Sequence, residues 1–348
     1  MLKKLTAFIL LLAFAANITA CGPTEKKRYE AEFLELFDTV TQIVAYTNSK
    51  EEFTRQSQMI YDTLKEYHQL YDIYNDYPGI NNIKTINDNA GIKPVKVDKK
   101  IIDLLLFAKK WYKDTDGKLN VALGAVLKIW HKHREAGIED EAAATLPSLE
   151  ELREANKHTD INKVVVNAEN STVFLEDSKM SLDVGGVGKG YATEQVCLNA
   201  EKNGFTSGLI SVGGNVRAIG GKGNGEEFWN VGVQNPDKES EKKTLNIVNL
   251  NEMSLVSSGV YERFYTVDGK RYHHIIDPDS LLPADNFLQV TILCKDSGVA
   301  DAMAKAAFIL PFDQALAYVN AAPDAEAMWV LKDGSIKYSK GFEKFIKK

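Results

Sequence analysis

Hydrophobic and polar positions along this chain change period several times, and each change marks an element. Phe53, Ile60, Leu64, Tyr67 and Tyr71 recur near helical spacing and predict a long helix over 51–74, which Pro78-Gly79 stops. An Asn-rich loop at 81–89 follows, and a second amphipathic helix is predicted over 101–113. The β-branched run at 35–46 predicts a strand. Residues 116–124 turn and continue toward Trp130, and the acidic stretch 137–157 reads as a helical, exposed insertion or connection.

From residue 163 onward strand signals dominate, at 163–167 and 171–175, then in a buried strand, a Gly213-Gly214 turn and a second strand over 208–220. Further strands are predicted at 229–234, 245–249 and 288–293. No internal repeat, low-complexity tract or interdomain linker interrupts the pattern. The expected fold is therefore one interleaved α+β unit spanning 33–348.

Within that unit, one stretch combines a change of period with chemistry. Strand-like residues at 172–175 and 180–182 lead into Asp183-Val184-Gly185-Gly186-Val187-Gly188-Lys189-Gly190-Tyr191. An amphipathic helix over 191–203 follows, with Ala192, Val196, Leu198 and Ala200 as its apolar positions. Glycines let backbone N–H groups approach an anion, a helix N-terminus adds partial positive charge, and Lys189 adds a full one. The spacing fits neither Gly-x-x-x-x-Gly-Lys-Ser/Thr nor Gly-x-Gly-x-x-Gly. Taken alone, the run serves equally well as a tight structural turn. Gly213-Gly214 is similarly open between a hairpin turn and a second place where amides approach a ligand.

Composition narrows the setting. The 348 residues are 44% hydrophobic and 26% charged, ordinary for a globular protein, with a net charge of −6 and no basic stripe to recruit nucleic acid. At the N-terminus, Lys3-Lys4 and an apolar run over 5–16 have the form of an export signal, and Ile18-Thr19-Ala20-Cys21 resembles the bacterial lipobox. The expectation is a signal peptide over 1–20, lipidation of Cys21, a tether over 21–32, and a mature protein lipid-anchored to the cell membrane on its extracytoplasmic face. Cys197 and Cys294 sit in apolar patterns and read as small buried hydrophobes. His131 and His133, beside Lys and Arg, read as solvated surface rather than metal ligands.

Four segments, in order, resemble the ApbE family, the bacterial FAD:protein FMN transferases. They are Leu182 through Ala192, Ser211-Val212-Gly213-Gly214-Asn215-Val216, Val256-Ser257-Ser258-Gly259-Val260-Tyr261-Glu262-Arg263, and His273-His274-Ile275-Ile276-Asp277-Pro278. Phe37-Asp38-Thr39-Val40, Gly117-Lys118-Leu119-Asn120 and Val299-Ala300-Asp301-Ala302 fall in the same order. The resemblance implies an α+β domain of two lobes with the flavin between them. It also implies attachment of FMN from FAD to a threonine or serine hydroxyl of an exported or membrane-bound redox protein, with release of AMP.

What the resemblance implies residue by residue has a chemical logic. Charge spread over phosphoryl oxygens calls for cations and aligned donors. Magnesium would be held by the Asp301 carboxylate and the Gly188 carbonyl, as oxygen ligands suit that ion. Lys189 would offset phosphate charge, His274 would serve as base or phosphate-facing donor (its alternative being a turn cap), and Asp277 would orient the loop. Flavin contacts fall to Phe37, Tyr74, Leu119, Asn120, Val121 and Gly185. Asp183, Gly186, Tyr191, Gly213, Gly214, Ser258, Gly259 and Ile275 complete the cofactor site.

The sequence departs from the family at Lys305, where a threonine hydroxyl would join the metal, and at Ser280-Leu281. On a helix, Asp301 and Lys305 share a face, so the ammonium is placed to pair with Asp301, to compete with the metal, or partly to replace its charge. Two other activities remain compatible with these residues: hydrolysis of FAD to FMN and AMP, and FAD binding by a lipoprotein without chemistry.

Overall fold

The computed structural model describes residues 26–348. The lipobox and Cys21 lie outside them. The centre is an eight-stranded antiparallel sheet whose strands lie side by side in chain order. They are Lys27–Phe33, Thr41–Thr47, Gly208–Val212, Asn215–Ile219, Ser254–Gly259, Phe287–Cys294, Glu326–Leu331 and Ile336–Tyr338.

Both faces of the sheet are covered, and the period of two explains how. Val256, Ile292 and Trp329 point into a large core shared with the helices Lys50–Tyr71, Gly188–Lys202 and Ser297–Ile309. Their neighbours Leu255, Leu293 and Met328 point the other way, into a smaller core closed by the ribbon of Trp229–Gln234 and Thr244–Leu250. Each large side chain so buried contributes roughly 1.5–3 kcal/mol. Cys197 and Cys294 are buried and unpaired by disulfide, as expected.

A third apolar cluster forms a separate flank. Helix Gly124–Glu139 packs Val126 and Trp130 against Leu152 of helix Leu149–Asn156, Tyr265 of the hairpin of strands Phe264–Val267 and Lys270–His273, and Leu281. The acidic stretch is therefore more than an exposed insertion, because Leu152 is fully buried in that cluster.

Four other expectations change. Most of the described part of the expected tether belongs to the domain, since Lys27–Phe33 is the first strand of the sheet and pairs antiparallel with Thr41–Thr47. The strand placed at 35–46 begins only at Thr41; before it, Leu36–Asp38 is a 3-10 turn with Phe37 at φ 56° and Asp38 at φ 51°. Residues 180–182 make no strand, only a parallel bridge from Ser181 to Leu123. The helix placed at 191–203 starts at Gly188, inside the glycine run, and Leu198 lies on its exposed face.

Helix Ser297–Ile309 is capped by Asp296, whose carboxylate accepts from the Val299 N–H. Its alanines and Gly298 let it sit buried on nearly all sides against helix Gly188–Lys202. Behind that contact, Glu194 Oε2 accepts from the Ser297 N–H at 2.8 Å and from Arg217 Nε at 3.3 Å. Two helices and a strand are thereby tied together one turn away from Asp301.

Candidate active site

Asp301 is the most constrained polar residue of the motif set, at 1% exposure. Its Oδ2 accepts from the Gly190 N–H at 2.9 Å and from Asn215 Nδ2 at 3.1 Å. Its Oδ1 accepts from Lys305 Nζ at 3.0 Å, one helical turn on, and Lys305 also donates to Ser258 Oγ at 2.9 Å. A buried carboxylate requires such partners, since its desolvation costs several kcal/mol. The glycine run, the Gly-Gly hairpin, the Ser258 strand and the alanine-rich helix thus meet at one carboxylate.

Lys189 lies beside this group and donates from Nζ to the Gly213 carbonyl at 3.0 Å. Burial pushes its ammonium down to about 8, against the opposing pull of Asp301, and the cations Lys305 and Arg263 push the same way as burial. Gly213 and Gly214 take φ 53° and 84° in the hairpin turn, where Val212 pairs with Asn215. A Cβ on Gly213 would crowd the Thr39 side chain, with Cγ2 at 2.8 Å. Gly213-Gly214 is therefore the hairpin turn; the Gly213 N–H is held by the Val40 carbonyl at 2.9 Å, and the Gly213 carbonyl aims the lysine.

The glycine run itself is less free than its composition suggests. The Gly185 N–H donates to Asp183 Oδ1 at 2.9 Å, and those of Val187 and Gly188 donate to the Val184 carbonyl at 3.1 and 2.7 Å. With the Gly190 N–H held by Asp301, four amides of the expected cradle are engaged within the protein. The cations beside these engaged amides are the side chains of Lys189 and Lys305.

His274 is half-buried, and its Nδ1 and backbone N–H both lie against the Arg263 carbonyl, at 3.2 and 3.1 Å. That carbonyl can only accept, which assigns the proton to Nδ1 and leaves Nε2 with a lone pair. Burial holds the ring well below the usual histidine range, helped by the charges of Lys305 and Arg263. Its neighbour Ile275 is buried and donates its N–H to His273 Nδ1 at 3.2 Å. Asp277 accepts from Lys118 Nζ at 3.2 Å and from the Asp279 N–H at 3.2 Å within its own loop.

Around the Gly185 loop, the Asp183 N–H donates to the Val121 carbonyl at 2.8 Å, and Leu119 contacts the position of Gly186. Asn120 holds the same turn through Ala122 and Thr159. Phe37 donates its N–H to His68 Nδ1 at 3.3 Å and sets its ring edge-on to the imidazole. Tyr74 is half-exposed, and its hydroxyl lies 2.9 Å from His131 Nδ1. Gly259 ends the strand that carries Ser258.

Two placements differ from expectation. Tyr191 turns away from this group and packs on Phe107, with ring centroids 5.0 Å apart, because successive helix residues project about 100° apart. His131 is not solvated surface. It is half-buried, with Nε2 3.8 Å from Asp183 Oδ2, and burial holds its pKa down against that carboxylate. Its signal was available, since it follows Trp130 and sits one turn after the inward-facing Leu127. Asn215 and Arg263 carry contacts that no sequence signal marks: Asn215 Nδ2 donates to Asp301 Oδ2, and the Arg263 carbonyl accepts from His274.

A model of the ApbE family matches residues 37–329. The FAD:protein FMN transferase of Treponema pallidum is 28% identical over 346 residues, covering 95% of this chain and 92% of that protein. That of Klebsiella pneumoniae is 30% identical over 277 residues, covering 77% of this chain and 82% of the other. Among solved structures, the ApbE protein of Thermotoga maritima superposes with a TM-score of 0.79 at 28% identity, covering 92% of this chain and all of that one. The flavin transferase ApbE of Vibrio cholerae shares the fold, with a TM-score of 0.75 at 19% identity over 92% of this chain and 100% of its own.

Proposed function

Because this chain belongs to the ApbE family, we propose that it transfers FMN from FAD to a threonine or serine hydroxyl of a target redox protein. The single observation that carries the reading is the meeting of Lys189, Lys305 and Asp301 beside a neutral His274. Two ammonium groups offset the charge of a diphosphate, and a histidine with a free Nε2 accepts a proton. The acceptor hydroxyl oxygen attacks the phosphorus of the FMN half. The bond from that phosphorus to the bridging oxygen breaks, and AMP leaves with the electron pair. The hydroxyl proton passes to His274 Nε2. Phe37, Tyr74, Leu119, Val121 and Gly186 would receive the isoalloxazine, an apolar end beside a charged one.

The magnesium ion implied by the family resemblance does not fit these residues as they stand. Asp301 Oδ1 already pairs with an ammonium, and its Oδ2 accepts two N–H donors. A divalent ion about 4 Å from that ammonium would be repelled by on the order of 8 kcal/mol at an effective dielectric near 20. The chemistry of the transfer therefore rests on this chain's own side chains. The lipobox supports a lipid-anchored protein outside the cytoplasm, which makes an exported or membrane-bound acceptor the natural target.

The test is to incubate the chain with FAD and a candidate acceptor, then measure AMP and the acceptor's mass. An FMN adduct with matching AMP is expected. AMP without an adduct indicates hydrolysis, and neither product refutes the reading.

A further inference from the structure

We infer that Lys305 is a built-in cation that stands in for a divalent ion at the diphosphate, so that this chain binds FAD without metal. The inference rests on FAD being the ligand, as proposed above. Three observations place the ammonium in that role. Lys305 Nζ is fixed by two acceptors, Asp301 Oδ1 at 3.0 Å and Ser258 Oγ at 2.9 Å. An ammonium has three donors, and the third has no protein acceptor among the described residues. Lys189 adds a second ammonium that feels the charge of the same carboxylate, with one donor committed to Gly213.

The surroundings leave little else to do this work. The N–H groups of Gly185, Val187, Gly188 and Gly190 are engaged, so the turn offers few free donors to a phosphate. The one carboxylate of the expected metal set, Asp301, already accepts three donors on its two oxygens. A magnesium ion would bring two charges and would have to be recruited. Lys305 brings one, permanently tethered and oriented by its two acceptors. Its long stem is itself mostly buried, at 16% exposure, so the charge cannot swing out to solvent freely.

The experiment measures FAD affinity of the purified chain by flavin fluorescence, after EDTA dialysis and again with millimolar magnesium chloride. Manganese binding is followed in parallel through the electron-paramagnetic-resonance signal of free Mn2+, with and without FAD. The wild type should bind FAD with the same affinity in both buffers and leave the manganese signal unchanged. Lys305→Thr should weaken metal-free FAD binding by about tenfold. It should also begin to take up manganese when FAD is present.

A wild-type affinity that falls about tenfold in EDTA and returns with magnesium overturns the inference, as does stoichiometric manganese uptake by the wild type with FAD. Both of these arms use the unaltered chain, so misfolding of a variant cannot obscure them. The failure of the transferase reading looks different: FAD binds without metal, but no AMP and no acceptor adduct form. Absence of FAD binding in either buffer refutes both.

Discussion

The Gly190 N–H donates to Asp301 Oδ2 at 2.9 Å, at a helix contact too close for any side chain at position 190. A Cβ there would lie 2.6 Å from the Ser297 carbonyl oxygen and 2.8 Å from the carboxylate oxygen itself. The last glycine of the run is thus a packing requirement first, and its amide is a ligand of the acid. Gly190→Ala should cost about 1–3 kcal/mol through overpacking. It should also move Asp301 away from Asn215 and Lys305. Thermal unfolding and FAD titration check both halves: a variant as stable as the wild type with unchanged FAD affinity contradicts the contact.

Asp301 and Lys305 should be coupled, because each leaves the other as an unpaired buried charge. Asp301→Asn alone is expected to destabilise by about 3–5 kcal/mol, and Lys305→Met by a similar amount. The double variant should recover a large part of that loss while still failing to transfer FMN. Chemical denaturation of the four proteins in a double-mutant cycle gives the coupling directly. Strict additivity would mean that the pair is not formed in solution.

Much of this arrangement could be read from residues in line, and what could not has a physical cause. Four strands of the central sheet, within 35–46, 208–220 and 288–293, were legible as β-branched or apolar runs, and Cys197 and Cys294 were placed correctly by their apolar neighbours. The other four, Lys27–Phe33, Ser254–Gly259, Glu326–Leu331 and Ile336–Tyr338, were not; the partners of Ser254–Gly259, for one, lie far away in sequence. The pairing of Asp301 with Lys305 followed from helical spacing. The state of the glycine amides did not, since which N–H is already engaged depends on Val184, Asp183 and Asp301 folding back onto them. Phe37 and Asp38 read as strand because they precede the β-branched run from Thr39; in the fold Phe37 sits in the left-handed region with its N–H donating to His68, 31 residues away. His131 was misread because its neighbours in sequence are charged, while its neighbours in space are Tyr74 and Asp183.

His274 should make the protein less stable in acid. Its folded pKa is held below the ordinary 6.5, so as pH falls through that value the unfolded chain takes up a proton that the folded chain refuses. The unfolded state then binds more protons, and stability falls with pH below about 6.5. His131 and His273 are shifted the same way and steepen the effect. His274→Gln should flatten part of this acid limb and reduce the rate of FMN transfer by about 10²–10⁴-fold. Its effect on FAD affinity should be small, because the base acts on the acceptor's proton. Equal stability loss from pH 7 to pH 5 in both proteins would refute the buried neutral ring.

Lys189 should set the alkaline limit of FAD binding. Its ammonium titrates near 8 in the folded protein, against 10.5 ordinarily, so above about pH 8 the free protein progressively loses one of the two cations beside Asp301. FAD affinity is expected to fall over that range, even though the diphosphate charge is constant there. The stability sign is opposite: between about pH 8 and 10.5 the unfolded chain binds more protons at this position, so Lys189 makes folding more favourable as pH rises. Lys189→Met should lower FAD affinity at neutral pH and abolish the alkaline decline. Calorimetric titrations of both proteins at pH 7 and pH 9 distinguish the outcomes, and a wild-type affinity unchanged between those values would show that the ammonium does not face the ligand.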